Sequence, residues 1–161
     1  MAHVTVEYMI FVPVLILQIF LFPVAASAIM NSWTDSRMTL QLQEISGDLG
    51  SSIQQIYFTM NHDTISGGCV TSAITVPTTI VDGNNAYSYK ITLTNATNPQ
   101  SSIQVMNLTL TLNGAKGTAS SIVTLGDDAS WKNNATYISS QVTQITANKT
   151  ANTITLSFGG S

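Results

Sequence analysis

The chain has 161 residues, of which only 8% are charged, and its formal net charge is −3. That length suits one ordinary domain. A nucleic-acid-binding surface needs clustered lysine and arginine, but the five basic residues are scattered along the chain, so the composition argues against such a surface. With so few charges, solubility must come from hydroxyl and amide groups or from attached sugar.

The first element in chain order is an apolar segment at residues 4–30. Between Tyr8 and Ala26 its only strongly polar side chain is Gln18, and one carboxylate, Glu7, stands near its start. A helix rises about 1.5 Å per residue, so a segment of this length can cross the apolar core of a bilayer. The segment predicts a long helix that is apolar on all sides.

Four interpretations of this segment compete. A cleaved secretory signal fits the cleavage-like Ala26-Ser27-Ala28, but no lysine or arginine precedes the apolar run. A permanent membrane anchor fits the length, but anchors usually carry basic residues at the cytoplasmic end, and the first here is Arg37. A buried core helix would need a covering that the rest of the chain cannot supply. The fourth is a helix that leaves the membrane and joins a bundle of identical helices.

The fourth interpretation explains the carboxylate. A helix inside a bundle meets a neighbour on every side, and one buried charge is tolerable there if an opposite charge meets it. The α-amino group of an adjacent copy is the expected partner, so Glu7 would set the axial register between subunits, as a lone polar group does in a coiled coil. The alternative is a carboxylate that reaches the headgroup level or is protonated in lipid.

The start of the chain resembles a known family. The run Val6-Glu7-Tyr8-Met9-Ile10, followed by an unbroken apolar helix, is similar to the N-terminus of type IV pilins and their archaeal relatives. In that family a glutamate four residues after the processed start leads into a hydrophobic helix that forms the filament core. The resemblance covers residues 1–30, and the run from Val6 through Pro13 also resembles the tight-adherence branch of the family. The family spacing would place the processed start at His3. The alternative is a processed chain that starts at Met1, in which Glu7 lies further in than the usual spacing.

The resemblance implies a structural role. The helix would form the core of an extracellular helical homopolymer, inserted in the cytoplasmic membrane before the pilus secretion machinery assembles it. Adhesion to surfaces is the expected task, with archaellin-type motility as the alternative. A monomeric exterior binding domain on a permanent anchor is the rival from another class. The Thr- and Asn-rich remainder of the chain favours an archaeal source.

Two prolines, Pro13 and Pro23, lie inside the apolar helix. Each removes a backbone hydrogen bond and favours a kink or local melting, which a membrane or a bundle tolerates. In pilins such as this chain resembles, a mid-helix proline is associated with curvature or partial unwinding on assembly. The alternative is a kink without functional consequence.

Past residue 30 the hydrophobicity becomes one-sided, which predicts an amphipathic helix over residues 31–60. Gly47 and Gly50 weaken this helix and favour a bend. We expect a helical region at 1–61 whose rear half completes the small core of a domain at 62–161. The apolar residues recur every three or four positions: Met38, Leu42, Ile45, Leu49, Ile53, Ile56 and Met60.

The remainder of the chain alternates between apolar and polar residues, as strands do. After a break at His62-Asp63 and Gly67-Gly68, the alternation is clearest at 87–94, 108–112 and 154–158, and weaker at 70–76, 119–125 and 136–146. The sequence therefore predicts an α+β fold, in which a long N-terminal hydrophobic helix precedes a small antiparallel β-sandwich. Turn signals separate the strands: Asp82-Gly83-Asn84, Asn98-Pro99, Asn113-Gly114 and Gly126-Asp127-Asp128.

Four Asn-x-Ser/Thr sequons make this domain a candidate glycoprotein. Their asparagines are Asn95, Asn107, Asn134 and Asn148. Asn107 falls in a strong strand pattern, so it is a site only if the polar face of that strand is exposed. The alternative is ordinary strand threonine and turn asparagine.

Nothing in the sequence predicts an enzyme, because catalysis needs a base beside a nucleophile, paired carboxylates or a metal. Asp127-Asp128 fits a turn better than a calcium-ligand pair. His3 and His62 have no partners at ligand spacing, so no metal or cofactor is expected. The single cysteine, Cys69, excludes a disulfide within the chain. It is expected to be buried, and the alternative is a reactive or intermolecular thiol. The aromatic residues are expected in the core: Tyr57, Trp131 and Tyr137.

Overall fold

The computed structural model describes residues 2–95, 104–132 and 136–159, and side chains from residue 9 onward within these ranges. The predicted turn at Asn98-Pro99 and the sequon asparagine Asn134 lie outside the described residues. Helix α1 spans Ala2–Met60. The chain divides into two compact units, residues 1–37 and 38–161. The rear part of α1 therefore belongs to the same unit as the β domain.

The first unit consists of the front part of α1. The chain stays helical through Pro13 and Pro23. Neither proline can donate the usual hydrogen bond to the carbonyl four residues earlier, at Met9 and Ile19 respectively. The predicted kink, and the unwinding on assembly, stay predictions.

The second unit adds two sheets to the rear of α1. Within the described residues, one sheet has the order β1-β8-β9-β6 and the other β2-β3-β4-β5, with β7 paired to β3. Among the pairs that the structure describes, all are antiparallel except β6 with β9, and the sheets form a curled half-barrel. The predicted α+β class, with a long helix before an antiparallel β domain, is confirmed. The strands are β1 (Gly67–Ala73), β2 (Thr79–Asp82), β3 (Asn85–Asn95), β4 (Gln104–Leu112), β5 (Thr118–Leu125), β6 (Ala129–Trp131), β7 (Thr136–Ile138), β8 (Gln144–Thr150) and β9 (Thr153–Gly159).

The strand predicted at 136–146 is not continuous, and the prediction was correct only at the two ends of the segment. This segment contains β7, a 3-10 turn at Ser139–Gln141 and only the beginning of β8. The buried Ser139 hydroxyl donates to the Thr78 carbonyl and accepts the Tyr89 backbone N–H, so it takes the place of ladder hydrogen bonds here. The predicted break at Gly67-Gly68 was wrong, because both glycines belong to β1.

One hydrophobic core joins the rear of α1 to both sheets. Each residue of the predicted stripe from Met38 to Met60 is at most 5% exposed. The alternating strands supply the opposite side of the core, and the largest of their buried side chains are Tyr89, Ile91, Leu93, Met106, Leu108, Leu110, Leu125 and Ile145. The expectation that the helix completes the core is therefore correct.

Small residues let α1 lie close to β5. A Cβ placed on Gly50 would lie 3.3 Å from the Ser121 hydroxyl and 3.4 Å from a Val123 methyl group. The buried Ser46 hydroxyl donates to Ser121 Oγ (2.8 Å), and Ser121 Oγ donates back to the Ser46 carbonyl (3.0 Å). Gly50, which is unfavourable for helix propensity, is therefore explained by close packing.

Candidate functional site

The front part of α1 is an exposed apolar surface. Among the described residues, α1 is the one helix long and apolar enough to cross a membrane, and none of its most apolar stretch is buried. We call the exposed apolar side chains of this segment the apolar front. Its members are Met9, Ile10, Phe11, Val12, Val14, Leu15, Ile16, Leu17, Ile19, Phe20, Leu21, Phe22, Val24, Ile29, Met30 and Trp33.

The apolar front is far larger than the scattered apolar residues that a soluble protein leaves exposed. Burying one large apolar side chain is worth about 1.5–3 kcal/mol, so leaving this many in water is strongly unfavourable. Lipid and the helices of further copies are the two surroundings that would cover the whole circumference. The interpretation as the core helix of its own domain does not fit, because this part of α1 is exposed.

The side chains of Glu7, the predicted register residue, and of His3, the predicted processed start, are not described by the structure. Both positions belong to α1. The partner of Glu7 therefore stays a prediction. Gln18 is exposed within the apolar front.

The C-terminal end of α1 is fastened to the β domain by a polar cluster. Tyr57 Oη donates to Asp128 Oδ1 (2.6 Å), and Asn61 Nδ2 donates to Tyr57 Oη (3.0 Å). Lys149 Nζ donates to the Met60 carbonyl (3.0 Å), where a cation complements the negative end of the helix dipole. Burial, followed by the hydrogen bond to Asp128, raises the pKa of Tyr57 to about 12. Sequence reasoning missed this cluster, because its members are 71 and 89 positions apart in the chain.

A polar cavity of about 780 Å³ adjoins this cluster. It brings together Asp63, Asp127 and Asp128, whereas Asp82 is the last residue of β2, paired with Asn85 of β3. The predicted turn at Gly126-Asp127-Asp128 is present, since Ala129 N–H donates to the Gly126 carbonyl. In the described part of the chain, no three His, Cys, Asp or Glu residues are grouped as metal ligands would be. That the protein is not an enzyme stays a prediction.

Three of the four sequon asparagines can be placed. Asn95 is exposed at the end of β3, and Asn148 is exposed on β8. Asn107 is half-buried on β4, opposite Thr94 and the exposed Ile122, so it lies on the outward face of its sheet. The chain can therefore present these side chains to a modifying enzyme, and their glycosylation stays a prediction.

The aromatic residues of the domain pack as expected. Trp131 and Tyr137 meet Phe158 edge-on, with ring centroids 4.9 Å and 5.1 Å apart respectively. Tyr57 is buried, at 3% exposure. These rings belong to the core and its margin, as the sequence predicted.

The prediction for the cysteine was wrong. Cys69 is exposed on β1, where it lies opposite Asn148. The Cys69 side chain projects from the outward face of β1, away from the core. Strand β1 lies at the end of its sheet, so in the described residues it has a neighbouring strand on one side only. The apolar character of a thiol favoured burial, but the register of the strand decided its position.

Comparison with known protein families, with curated proteins and with solved structures found no match to this chain. The resemblance to type IV pilins therefore depends on the run from Val6 to Ile10 and the apolar helix that follows. The apolar front remains the feature from which a function can be inferred.

Proposed function

We propose that this protein is a structural subunit of an extracellular helical pilus that attaches cells to surfaces. The apolar front forms the filament core, and the β domain forms the outer surface. The observation that carries this proposal is the exposure of apolar side chains around α1 from Met9 to Met30, while the second unit has a hydrophobic core of its own. Head-to-tail contacts between copies, repeated without closing, generate a filament.

The division of the chain into two units supports this role. The core of the second unit begins at Met38 and takes no residue from the apolar front. The β domain can therefore keep its fold while the front of α1 exchanges lipid for neighbouring helices. The pilus assembly machinery would draw the helix from the cytoplasmic membrane into the filament, where apolar burial among copies stabilises it.

Electron microscopy of material sheared from cells tests the proposal, together with mass spectrometry of the N-terminus of the same protein band. We expect thin filaments that contain this chain with its apolar segment intact. The mass would also show whether the chain starts at Met1 or His3 and so fix the distance to Glu7. If the protein occurs only in detergent-extracted membranes, or starts after Ala28, the pilus proposal is wrong.

The role proposed for Glu7 has its own test. Glu7→Ala should block or slow filament assembly, because the charge that sets the axial register is removed. Glu44→Ala is the matched control, since Glu44 is exposed on the rear of the same helix, outside the apolar front. Equal filament yield from Glu7→Ala, Glu44→Ala and the unchanged protein would refute the register role.

A monomeric exterior binding domain with a permanent anchor is the second candidate. It is favoured by the length and apolarity of α1, which suit a membrane span. Such an anchor would tolerate Glu7→Ala or insert better, because a charge inside a bilayer is unfavourable.

Among filaments, archaellin-type motility is the alternative to adhesion. Loss of swimming without loss of attachment in a deletion strain would favour motility.

A further inference from the structure

Strand β1 leaves one long edge of its sheet open. It pairs with β8 on one side, and no strand among the described residues pairs with its other side. Six of its seven residues are exposed. Backbone N–H and C=O groups along such an edge are a template for another strand.

The other sheet ends differ from β1. Three of the strands at these ends, β2, β6 and β7, are only four, three and three residues long. The longer β5 is contacted by α1. Gln54 Nε2 donates a hydrogen bond to the Thr124 carbonyl (3.4 Å), and the Ser46 hydroxyl donates one to Ser121 Oγ. Within the described residues, β1 is thus the long edge that no other element covers.

The sequence of β1 does not protect this edge. Folded proteins commonly block edges with charged residues, proline or a bulge. Strand β1 reads Gly-Gly-Cys-Val-Thr-Ser-Ala, with no charge and no proline, and its register with β8 is unbroken from Gly67 to Ala73. An uncharged edge of this kind fits a second β-strand that is also uncharged.

We propose that β1 pairs antiparallel with β1 of a second copy of this chain. An antiparallel pair of identical strands is two-fold symmetric, so the edge complements itself, and the absence of charge removes the repulsion that usually opposes such a pair. This inference rests on the proposed function in one respect. Subunits of one polar filament are not related by a two-fold axis, so the contact would join neighbouring filaments side by side.

Cys69 supplies a reporter for the contact, because it is exposed near the middle of β1. With the two strands paired over their full length, Cys69 lies opposite Thr71 of the second copy and diagonal to its Cys69. Diagonal neighbours lie about 7–8 Å apart, so a flexible bis-maleimide should link two Cys69 thiols. Thr71→Lys adds a charge to β1 and should lower the yield of linked dimer about tenfold. Thr94→Lys is the matched control, since Thr94 is an exposed threonine on β3. Cys69→Ser should abolish the link.

The experiment is done on the full chain, both in sheared filaments and dispersed in detergent micelles. Bundled filaments and a linked dimer that Thr71→Lys reduces and Thr94→Lys retains would support the pairing. Single filaments without linked dimer would overturn it and leave the proposed pilus intact. A linked dimer sensitive to Thr71→Lys without any filaments would support the pairing and contradict the pilus. Equal yields from both lysine variants would show that β1 is not the contact.

Discussion

Alkaline unfolding offers a sharp test of the β-domain core, through Tyr89. This side chain has no exposed surface, and its hydroxyl donates to the Pro77 carbonyl. Burial raises the pKa of Tyr89 from 10.0 to about 12. The unfolded chain therefore loses the phenolic proton before the folded chain does. The stability that this tyrosine contributes is complete below pH 10 and is lost as the pH rises to 12.

The size of the effect follows from the shift. A pKa difference of about 12 − 10, or about 2, corresponds to about 2.7 kcal/mol of stability lost across this window. Tyr89→Phe cannot lose that proton, but it also lacks the hydrogen bond to Pro77, which is worth about 1 kcal/mol. The variant should be less stable than the unchanged protein at pH 8 and more stable at pH 12. The two stability curves should cross between about pH 10 and 11.

The assay is urea unfolding of the full chain in detergent micelles, followed by near-ultraviolet circular dichroism from pH 8 to 12. Tyr87→Phe is the matched control, because Tyr87 is half-buried on the same strand. Burial and Asp128 likewise raise the pKa of Tyr57 to about 12, so part of the alkaline loss should remain in Tyr89→Phe. If the curves of Tyr89→Phe and the unchanged protein stay parallel up to pH 12, the assigned burial of Tyr89 is wrong.

Two further substitutions, each with a control variant, test the packing of α1 against the β domain. Ile53→Ala should lower the free energy of unfolding by about 2–5 kcal/mol, because Ile53 is fully buried, whereas Phe58→Ala at a 64% exposed position should change it little. Gly126→Ala should cost about 1–3 kcal/mol, since the new Cβ would overlap the Tyr57 hydroxyl and break its bond to Asp128. Gly47→Ala, which meets no atom within 4 Å, should instead stabilise the helix by about 0.5–1 kcal/mol. Urea unfolding in micelles measures all four, and equal effects of the two glycine variants would contradict the predicted close packing at Gly126.

Hydrophobic periodicity predicted the helix and the strands in which one face packs against the core. The stripe from Met38 to Met60 repeats every three or four residues, and each member is buried because one helix face meets the sheets. The alternation at 87–94, 108–112 and 154–158 likewise lies within β3, β4 and β9. The turn signal at Gly83 was also informative, because its φ of +58° is a conformation that glycine adopts readily.

Features that depend on contacts between distant segments were not predictable. Strand β6 pairs with β9 over three residues, too few for an alternating pattern to be visible. Ser139 ends β7 through bonds to Thr78 and Tyr89, which no local pattern encodes. The exposure of Cys69 follows from the position of β1 in its sheet, and a sheet order cannot be derived from composition.

The division of the chain into two units coincides with a change in the hydrophobic pattern of α1. A helix that had to stabilise its own domain would be apolar on one face, as α1 is from Met38 onward. From Met9 to Met30 apolar side chains are exposed all round the helix, which suits contact with lipid or with other copies. The hydrogen bonds at Tyr57 and Lys149 then fasten the β domain to the far end of the same helix. In the proposed filament, the front would therefore assemble without unfolding the β domain.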